Sequence, residues 1–376
     1  MMQALGPKEL LEDVIQKNLC VGCGACIDLC PYFKTHIGRT TMLFPCDLPT
    51  GQCYAFCPKA EVDLDALARQ CRGKPYDAGP IGHYLHVLTA RAGDRMSRGS
   101  FQAGGSVSAI MTFALENGMI DSAVLTDREG LVPLPRLVSR REDVIKCASS
   151  KYMAAPTLAA LNRAVRDGHG RIGVVGTPCQ VTALEQMRSN PLGHPDFRDP
   201  VSLVVGLFCT WAVDTRDLIS ELSKRLDIQK IQKMDIPPPP AEVLVLETMG
   251  ERIQIPLAEI RLLVSPGCLI CPDMTSEWAD ISVGVLEGAP EWNTLIIRTE
   301  LGQELVNKAT KANWLITGNM PKENLAHLKL AAMNKKKRAL TRCLEQGLVN
   351  TENGSGRSAI RISAPTLKEI VGEGEE

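Results

Sequence analysis

"CVGCGACIDLC" (Cys20–Cys30), followed directly by Pro31, sets four cysteines at intervals of three, three and four residues. The residues between the first three cysteines include Gly22, Gly24 and Ala25, whose small side chains allow a tight loop. A tight loop brings several thiolates towards one point. The segment therefore predicts a site for inorganic chemistry near the N-terminus.

Composition places this segment in an ordinary globular chain. The 376 residues are 44% hydrophobic and 23% charged, with a formal net charge of −1, so there is no basic bias towards nucleic acid. The mixed polar N-terminus does not resemble an export signal, and no apolar run is long enough to span a membrane, so we expect a cytoplasmic protein. Its 14 cysteines should then be reduced, which favours metal or redox chemistry over disulfides.

The spacing C-x2-C-x2-C-x3-C-P is typical of bacterial 4Fe-4S ferredoxins. Three thiolates of the loop can reach three irons, while the fourth ligand comes from a distant Cys-Pro element, here "CYAFCP". We therefore predict that Cys20, Cys23, Cys26 and Cys57 hold one 4Fe-4S cluster. Zinc competes for any cluster of cysteines, but the complete ferredoxin run favours a cubane.

A second N-terminal cluster would begin with Cys30, Cys46 and Cys53. The stretch "CDLPTGQC" (46–53) departs from the ferredoxin pattern because it lacks a middle cysteine. Several alternatives stay open: Asp47 or Cys71 as the fourth ligand, a three-iron cluster, or an empty site.

Four further cysteines lie far apart in the chain: Cys179, Cys209, Cys268 and Cys271. Short apolar runs at 171–176 and 201–209, each followed by a helix-like stretch, predict buried parallel strands of an α/β sheet. The carboxyl ends of such strands would bring Cys179 and Cys209 together. Spacing alone nevertheless favours simple packing for these two cysteines, and a lone C-x2-C pair is weak evidence for a site.

Two stretches in the middle of the chain could hold a cofactor. Gly104 and Gly105 precede the helix-like stretch 106–116, and a glycine pair that opens a helix can bind a diphosphate. Ser150, Lys151 and Tyr152 could hold a phosphate and cover a flavin ring, or form a solvated loop with one packed tyrosine. No G-x-G-x-x-G follows a strand, so an ordinary dinucleotide site is not indicated.

Taken together, the motifs resemble the family of coenzyme F420 hydrogenase/dehydrogenase beta subunits. The resemblance covers nearly the whole chain, from the ferredoxin run through "FQAGGSVSAIM" (101–111), "SSKY" (149–152), "GTPCQ" (176–180), "GLFC" (206–209), "GCLICPD" (267–273) and "ADISVG" (279–284). It implies a flavoprotein subunit that holds FAD and 4Fe-4S clusters. The family's cluster ligands fall on Cys179, Cys209, Cys268 and Cys271. Its flavin contacts fall on Gly104, Gly105, Ser150, Lys151, Tyr152, Gly176 and Thr177.

One departure from the family pattern is Ser149, which stands where a glycine is more usual. We expect its Cβ to alter how closely the backbone approaches the cofactor.

The resemblance implies an oxidoreductase subunit that passes electrons between a two-electron hydride carrier, such as coenzyme F420, and one-electron iron–sulfur centres. The partner subunits would belong to a hydrogenase, a formate dehydrogenase or a heterodisulfide-reductase-like complex. Alternatives are an electron relay without hydride chemistry of its own, and a flavin-dependent reductase of a small organic substrate.

The predicted organisation is α/β, or α+β over the whole chain. A ferredoxin-like iron–sulfur segment (1–76) precedes an α/β FAD-binding domain (77–230). A β-hairpin and the part of the core that completes the cluster site follow (231–350), and then a flexible acidic tail (351–376). The basic run "NKKKR" (334–338) is interpreted as a solvated helix face, with docking of an acidic partner or a polyglutamate tail as the alternative.

Overall fold

The N-terminal segment consists of short elements that wrap around the ferredoxin loop. The computed structural model describes residues 5–96, 101–237, 241–351 and 356–372. Its first elements are α1 (Pro7–Leu10), a π-helical turn (Leu11–Ile15), β1 (Phe33–His36), β2 (Arg39–Met42), α2 (Gln52–Ala55), β3 (Val62–Asp63) and α3 (Leu64–Arg72).

Residues 86–207 supply five strands and the helices between them. They are β4 (His86–Ala92), α4 (Ser106–Glu116), β5 (Ser122–Glu129), β6 (Val132–Val138), α5 (Arg141–Lys146), α6 (Thr157–Arg166), β7 (Ile172–Gly176), α7 (Pro178–Arg188) and β8 (Val201–Leu207).

A small sheet and three helices follow. They comprise α8 (Thr215–Ser223), a 3-10 turn (Ile228–Lys230), β9 (Lys233–Asp235), β10 (Val243–Glu247), β11 (Arg252–Pro256), α9 (Leu257–Arg261) and α10 (Pro266–Leu269). The predicted hairpin is present as β10 and β11, which pair antiparallel.

The chain then returns to the core. Its last elements are β12 (Ile281–Leu286), β13 (Ala289–Ile297), α11 (Glu300–Lys311), β14 (Leu315–Asn319), α12 (Lys322–Glu345), β15 (Val349–Asn350), β16 (Ile360–Arg361) and α13 (Ala364–Val371).

One eight-stranded mixed sheet unites these parts in the order β14-β4-β13-β12-β8-β7-β5-β6. Strands β5, β7, β8 and β12 are parallel, and the other neighbours pair antiparallel. Every residue of β7 is buried, as expected for a parallel strand covered on both faces. The mixed α/β class that the sequence predicts is confirmed. Within the described ranges, none of the helices combines the length and apolar character that crossing a bilayer requires.

The N-terminal segment is packed into the same hydrophobic core as the sheet. Leu10 and Phe33 belong to one cluster of buried side chains with Ile172 and Val204. Strand β3 also pairs in parallel with β16 near the C-terminus. The two ends of the chain are therefore joined through backbone hydrogen bonds.

The structure corrects the flexible tail that we expected over 351–376. Strand β16 and helix α13 lie in this range, and the side chains of Leu367 and Ile370 are buried. Burial of these apolar side chains offsets the entropy of ordering the segment. Residues 352–355 and 373–376 of the predicted tail lie outside the described residues.

The basic run on α12 is a solvated face only in part: Asn334, Lys337 and Arg338 are exposed, but two lysines are not. Lys335 is 6% exposed and Lys336 is 0% exposed. The Lys336 ammonium forms an ion pair of 2.9 Å with the buried carboxylate of Glu277 and donates to the carbonyl of Gly79 at 2.7 Å. Both lysines lie on the buried side of α12, and their ammonium groups bind partners inside the protein.

We expect Glu277→Gln to destabilise the fold by about 3–5 kcal/mol, because it leaves the buried Lys336 charge without its partner. Urea unfolding measures this loss. The control is Glu304→Gln, since Glu304 pairs with Lys308 on an exposed helix face and should contribute about 1 kcal/mol or less. Equal effects of the two substitutions would contradict the buried ion pair.

Candidate iron–sulfur and flavin site

The ferredoxin loop and the Cys-Pro element enclose one cavity. It is lined by the four thiols predicted as ligands of the first cluster, which we term the N-terminal thiol group: Cys20, Cys23, Cys26 and Cys57. Cys53 also reaches this cavity. The backbone of Gly22 and Gly24 has φ of 62° and 85°, conformations that glycine adopts without strain, and this allows the tight loop.

Backbone amides of the loop point at the sulfurs. The backbone amides of Gly22, Ala25 and Lys59 act on the sulfurs of Cys20, Cys23 and Cys57, respectively, and each lowers the pKa of its thiol. Burial has the larger, opposite effect: it raises the pKa of Cys57 to about 12, and the neighbouring Cys20 adds to this rise. A bound cation reverses this balance, because a metal-coordinated thiol is deprotonated. The N-terminal thiol group therefore fits a metal centre.

The three cysteines of the second predicted cluster also approach one another. The pKa of Cys53 is raised to about 11, chiefly by burial, and the nearby Cys30 and Cys46 thiols contribute to the rise. Cys71 does not join them, which corrects one of the alternatives for the fourth ligand. Its Sγ donates a 3.0 Å hydrogen bond to Oε2 of Glu185 on α7. Asp47 as a ligand stays a prediction.

The structure brings the four remote cysteines together, and we term them the central thiol group: Cys179, Cys209, Cys268 and Cys271. Cys179 lies in the first turn of α7 after β7, and Cys209 follows β8, so both stand at the carboxyl edge of the parallel strands. Burial raises the pKa of Cys179 to about 11, and the nearby Cys271 and Cys268 contribute to the rise. The other three thiols, those of Cys268, Cys179 and Cys271, likewise raise the pKa of Cys209.

Polar groups surround the central thiol group. The backbone N–H of Ala212 donates to Sγ of Cys268 at 3.4 Å, and the Thr177 hydroxyl lies 3.3 Å from Sγ of Cys179. The Lys335 ammonium donates to the carbonyls of Cys209 and Asp273, at 2.7 Å each. Sequence reasoning missed Lys335, although its helical spacing with Leu328 and Ala332 could have revealed it.

The spacing of the thiols disfavours a single-ion site such as zinc. Among the residues that the structure describes, no three His, Cys, Asp or Glu side chains stand close enough to hold one metal ion. A tetrahedral zinc with Zn–S bonds of about 2.3 Å needs its sulfurs roughly 3.8 Å apart. A cubane distributes its ligands over separate irons, so it accepts thiols that are grouped but farther apart.

The N-terminal and central thiol groups are neighbours. Charge on Cys179 acts on the Cys23 thiol, and it is the leading influence on the pKa of that thiol after burial. The backbones meet at Gly267, where a Cβ would lie 2.0 Å from the carbonyl oxygen of Leu19. Only glycine permits this approach of the two cysteine loops.

The residues assigned to flavin contacts lie along the same edge of the sheet. Gly104 packs against the backbone of β4, and Gly105 (φ 75°) caps α4. Strand β4 is four strand positions from β7, where Gly176 and Thr177 lie, which corresponds to roughly 19 Å at about 4.8 Å per strand. A ligand that touches both ends must therefore be an extended one.

The "SSKY" stretch is held between these ends by a polar network. The Tyr152 hydroxyl donates to Asp235 of β9 at 3.1 Å and accepts from the N–H of Ile236 at 3.0 Å. Gln102 donates to the same Asp235 carboxylate at 2.5 Å and accepts from the N–H of Ser150 at 3.4 Å. Gln102 lies within the quoted stretch "FQAGGSVSAIM" (101–111) but received no role there, and Asp235 belongs to none of the quoted motifs.

Lys151 is neither a surface ion pair nor a free cation. Its ammonium donates to the carbonyls of Cys147 (2.6 Å), Ser149 (3.0 Å) and Ala148 (3.3 Å). Burial lowers its pKa to about 8. Lys151 therefore orders the end of α5 and the following turn.

The chain matches three known domain families in the expected order. Residues 13–32 match the 4Fe-4S binding domain. Residues 87–162 match the N-terminal domain of the coenzyme F420 hydrogenase/dehydrogenase beta subunit, and residues 169–323 match the C terminus of the same kind of subunit. These matches support iron–sulfur clusters as cofactors.

Curated relatives and a solved structure agree with these matches. A subunit of the F(420)H(2) dehydrogenase of Methanosarcina mazei is 32% identical, over 78% of this chain and 83% of its own. An uncharacterized protein of Methanocaldococcus jannaschii is 30% identical, over 88% of this chain and 97% of its own. The coenzyme F420-dependent sulfite reductase of that organism is 31% identical over 79% of this chain; the chain spans about half the length of that enzyme, 47%.

A chain from the F420-reducing [NiFe] hydrogenase complex of Methanosarcina barkeri is similar in structure. Its TM-score is 0.66 at 28% identity, with 71% of this chain and 93% of that chain covered. The protein thus belongs to the family of coenzyme F420 hydrogenase/dehydrogenase beta subunits, and the resemblance found in the sequence is confirmed.

We expect Ser149→Gly to stabilise the protein by about 1 kcal/mol. Ser149 has φ of 93°, a region that side chains with a Cβ adopt only at a cost. Thermal unfolding measures the gain. The control is Ser139→Gly: Ser139 is exposed and is not among the residues with positive φ, so glycine there should lower the stability slightly. A loss at both positions would show that Ser149 is not strained.

Proposed function

We propose that this chain is an FAD- and 4Fe-4S-containing oxidoreductase subunit. It would pass electrons between a hydride carrier, coenzyme F420 or a substitute, and the one-electron iron–sulfur centres of a partner complex. The observation that carries this proposal is the adjacency of the N-terminal and central thiol groups. Two clusters in these positions would form a continuous route for single electrons.

The route would begin at the sheet edge where the flavin contacts are assigned. Thr177 belongs to those contacts, and its hydroxyl lies 3.3 Å from Sγ of Cys179 in the central thiol group. From Cys179 the route would continue to Cys23 and the N-terminal thiol group. Cys30, Cys46 and Cys53 lie beside that group and would hold a further cluster on the way to the partner.

The residues at the sheet edge fit FAD in length and polarity. The Ser106 hydroxyl in the first turn of α4 is buried without a hydrogen-bond partner, beside the positive end of the helix. A phosphate oxygen placed there would satisfy it. Gly104, Gly105, Gly176 and Thr177 would allow close approach of the backbone, while Ser150 and Tyr152 would contact the ring, oriented by Lys151. Bound flavin supplies the exchange between two-electron and one-electron transfer.

The relatives favour coenzyme F420 as the hydride carrier and other redox subunits as partners. Their names include a coenzyme F420-dependent sulfite reductase, a component of F(420)H(2) dehydrogenase and an F420-reducing hydrogenase complex. Each of these names describes the relative itself. For this chain, the same carrier and the same class of complex are the proposal.

We expect Cys268→Ser to remove about four iron atoms per chain and to stop electron flow from reduced flavin to the N-terminal cluster. Anaerobic reconstitution, iron analysis and electron paramagnetic resonance measure both effects. The control is Cys71→Ser, because its hydroxyl can still donate to Glu185 and no cluster should depend on it. Unchanged iron in the Cys268 variant would contradict the central cluster.

Flavin content and carrier specificity test the rest of the proposal. Protein purified anaerobically should contain FAD, and reduced coenzyme F420 should bleach its absorbance. Iron without flavin would favour the relay that lacks hydride chemistry. Turnover of a small organic substrate by the isolated chain would favour the reductase instead. Bleaching by NADH but not by reduced coenzyme F420 would contradict the proposed carrier.

A further inference from the structure

Lys59 is a buried cation between the N-terminal and central thiol groups. It follows Cys57 and Pro58 in the second Cys-Pro element, and its residue is only 5% exposed. It lines the cavity of the N-terminal thiol group and also the cavity beside Cys179 and Cys271. No other lysine among the described residues lines both cavities.

Lys59 differs from the other buried lysines because it has no partner of its own. Lys335 donates to two carbonyls, and Lys336 pairs with Glu277. Across the parts of the chain that the structure describes, the Lys59 ammonium has no hydrogen bond and no ion pair. A cation without a protein partner that borders both cavities is placed to pair with an anionic group bound in them.

The electrostatic reach of Lys59 extends to both thiol groups. Its side chain lines one cavity together with Cys57 and the other cavity together with Cys179 and Cys271. Cys57 belongs to the N-terminal group, and the other two belong to the central group. A single cation therefore acts on two sites at once.

We propose that Lys59 is the shared countercharge of two 4Fe-4S clusters and raises the reduction potential of both. The proposal rests on the two clusters of the proposed function. A cubane held by four thiolates is anionic, and each electron that it accepts adds one negative charge. A fixed ammonium between two such clusters stabilises the reduced form of each. The step is the transfer of one electron to a cluster, with no bond formed or broken.

One consequence distinguishes a shared cation from a local one. Because Lys59 acts on both clusters, its removal lowers both reduction potentials. The difference between the two potentials therefore changes less than either potential does. Lys335 contacts only residues of the central thiol group and its loop, so its removal would act on the central cluster alone.

The test is a redox titration of reconstituted protein, followed by electron paramagnetic resonance, for Lys59→Met, Lys59→Arg and Lys335→Met. We expect Lys59→Met to weaken the electron affinity of both clusters about tenfold, which is about 59 mV for a one-electron couple. Lys59→Arg keeps the charge and should restore both potentials. Lys335→Met should lower the central potential only. Lys17→Met is the control, since Lys17 is an exposed lysine of the same N-terminal segment.

A second readout compares the protein with and without its clusters. In the apoprotein, Lys59→Met removes an unpaired buried charge, so its melting temperature should rise. In the loaded protein the same change removes a countercharge, so the melting temperature should fall. This reversal of sign is not expected of a lysine that only fills space.

The outcomes separate the two proposals. Wild-type protein that takes up iron at neither thiol group overturns the proposed function, and this inference with it. Two wild-type clusters whose potentials are unchanged in Lys59→Met overturn this inference alone, as does a shift of only one cluster. If Lys59→Met cannot be loaded, then loading of Lys59→Arg supports the countercharge, and failure of both variants counts against it.

Discussion

Two cysteine loops pack backbone against backbone, and this contact holds the two thiol groups side by side. Gly267 lies so near the Leu19 carbonyl that no side chain fits between them. This contact fixes the ferredoxin loop against the loop of Cys268 and Cys271. Electron transfer between clusters depends on their separation, so the function proposed for this chain requires such a contact.

Burial of many thiols in one region creates an electrostatic problem that cations can offset. Thiolates near one another repel, and burial raises the pKa of nearly every cysteine in both groups. Lys59 lies between the groups, and Lys335 lies behind the central one. Lys336, the residue after Lys335 on α12, forms an ion pair with Glu277. Three buried lysines of this protein therefore lie beside the thiol groups or pair with a buried carboxylate.

In the region of the assigned flavin contacts, by contrast, most polar groups are hydrogen-bonded to one another. Tyr152, Gln102 and Asp235 form a network that ties three separate segments together. Lys151 uses all its donors on backbone carbonyls of the turn that precedes it. Such side chains shape a binding site by holding the backbone in place, while glycines and unpartnered groups such as Ser106 remain for the ligand.

Local sequence determined the parts of this protein that depend on spacing. The ferredoxin run, the second Cys-Pro element, the apolar strands β7 and β8 and the hairpin β10–β11 could all be predicted, because each is defined by neighbouring residues. Helical spacing could also have shown that Lys335 and Lys336 share a face with Leu328, Ala332 and Ala339, but the basic run suggested solvent. Only the tertiary structure decided which cysteines meet, that Cys71 turns away to Glu185, and that Lys59 stands between two thiol groups. These outcomes depend on how distant segments cross, and the burial and charge of a side chain depend on every segment around it.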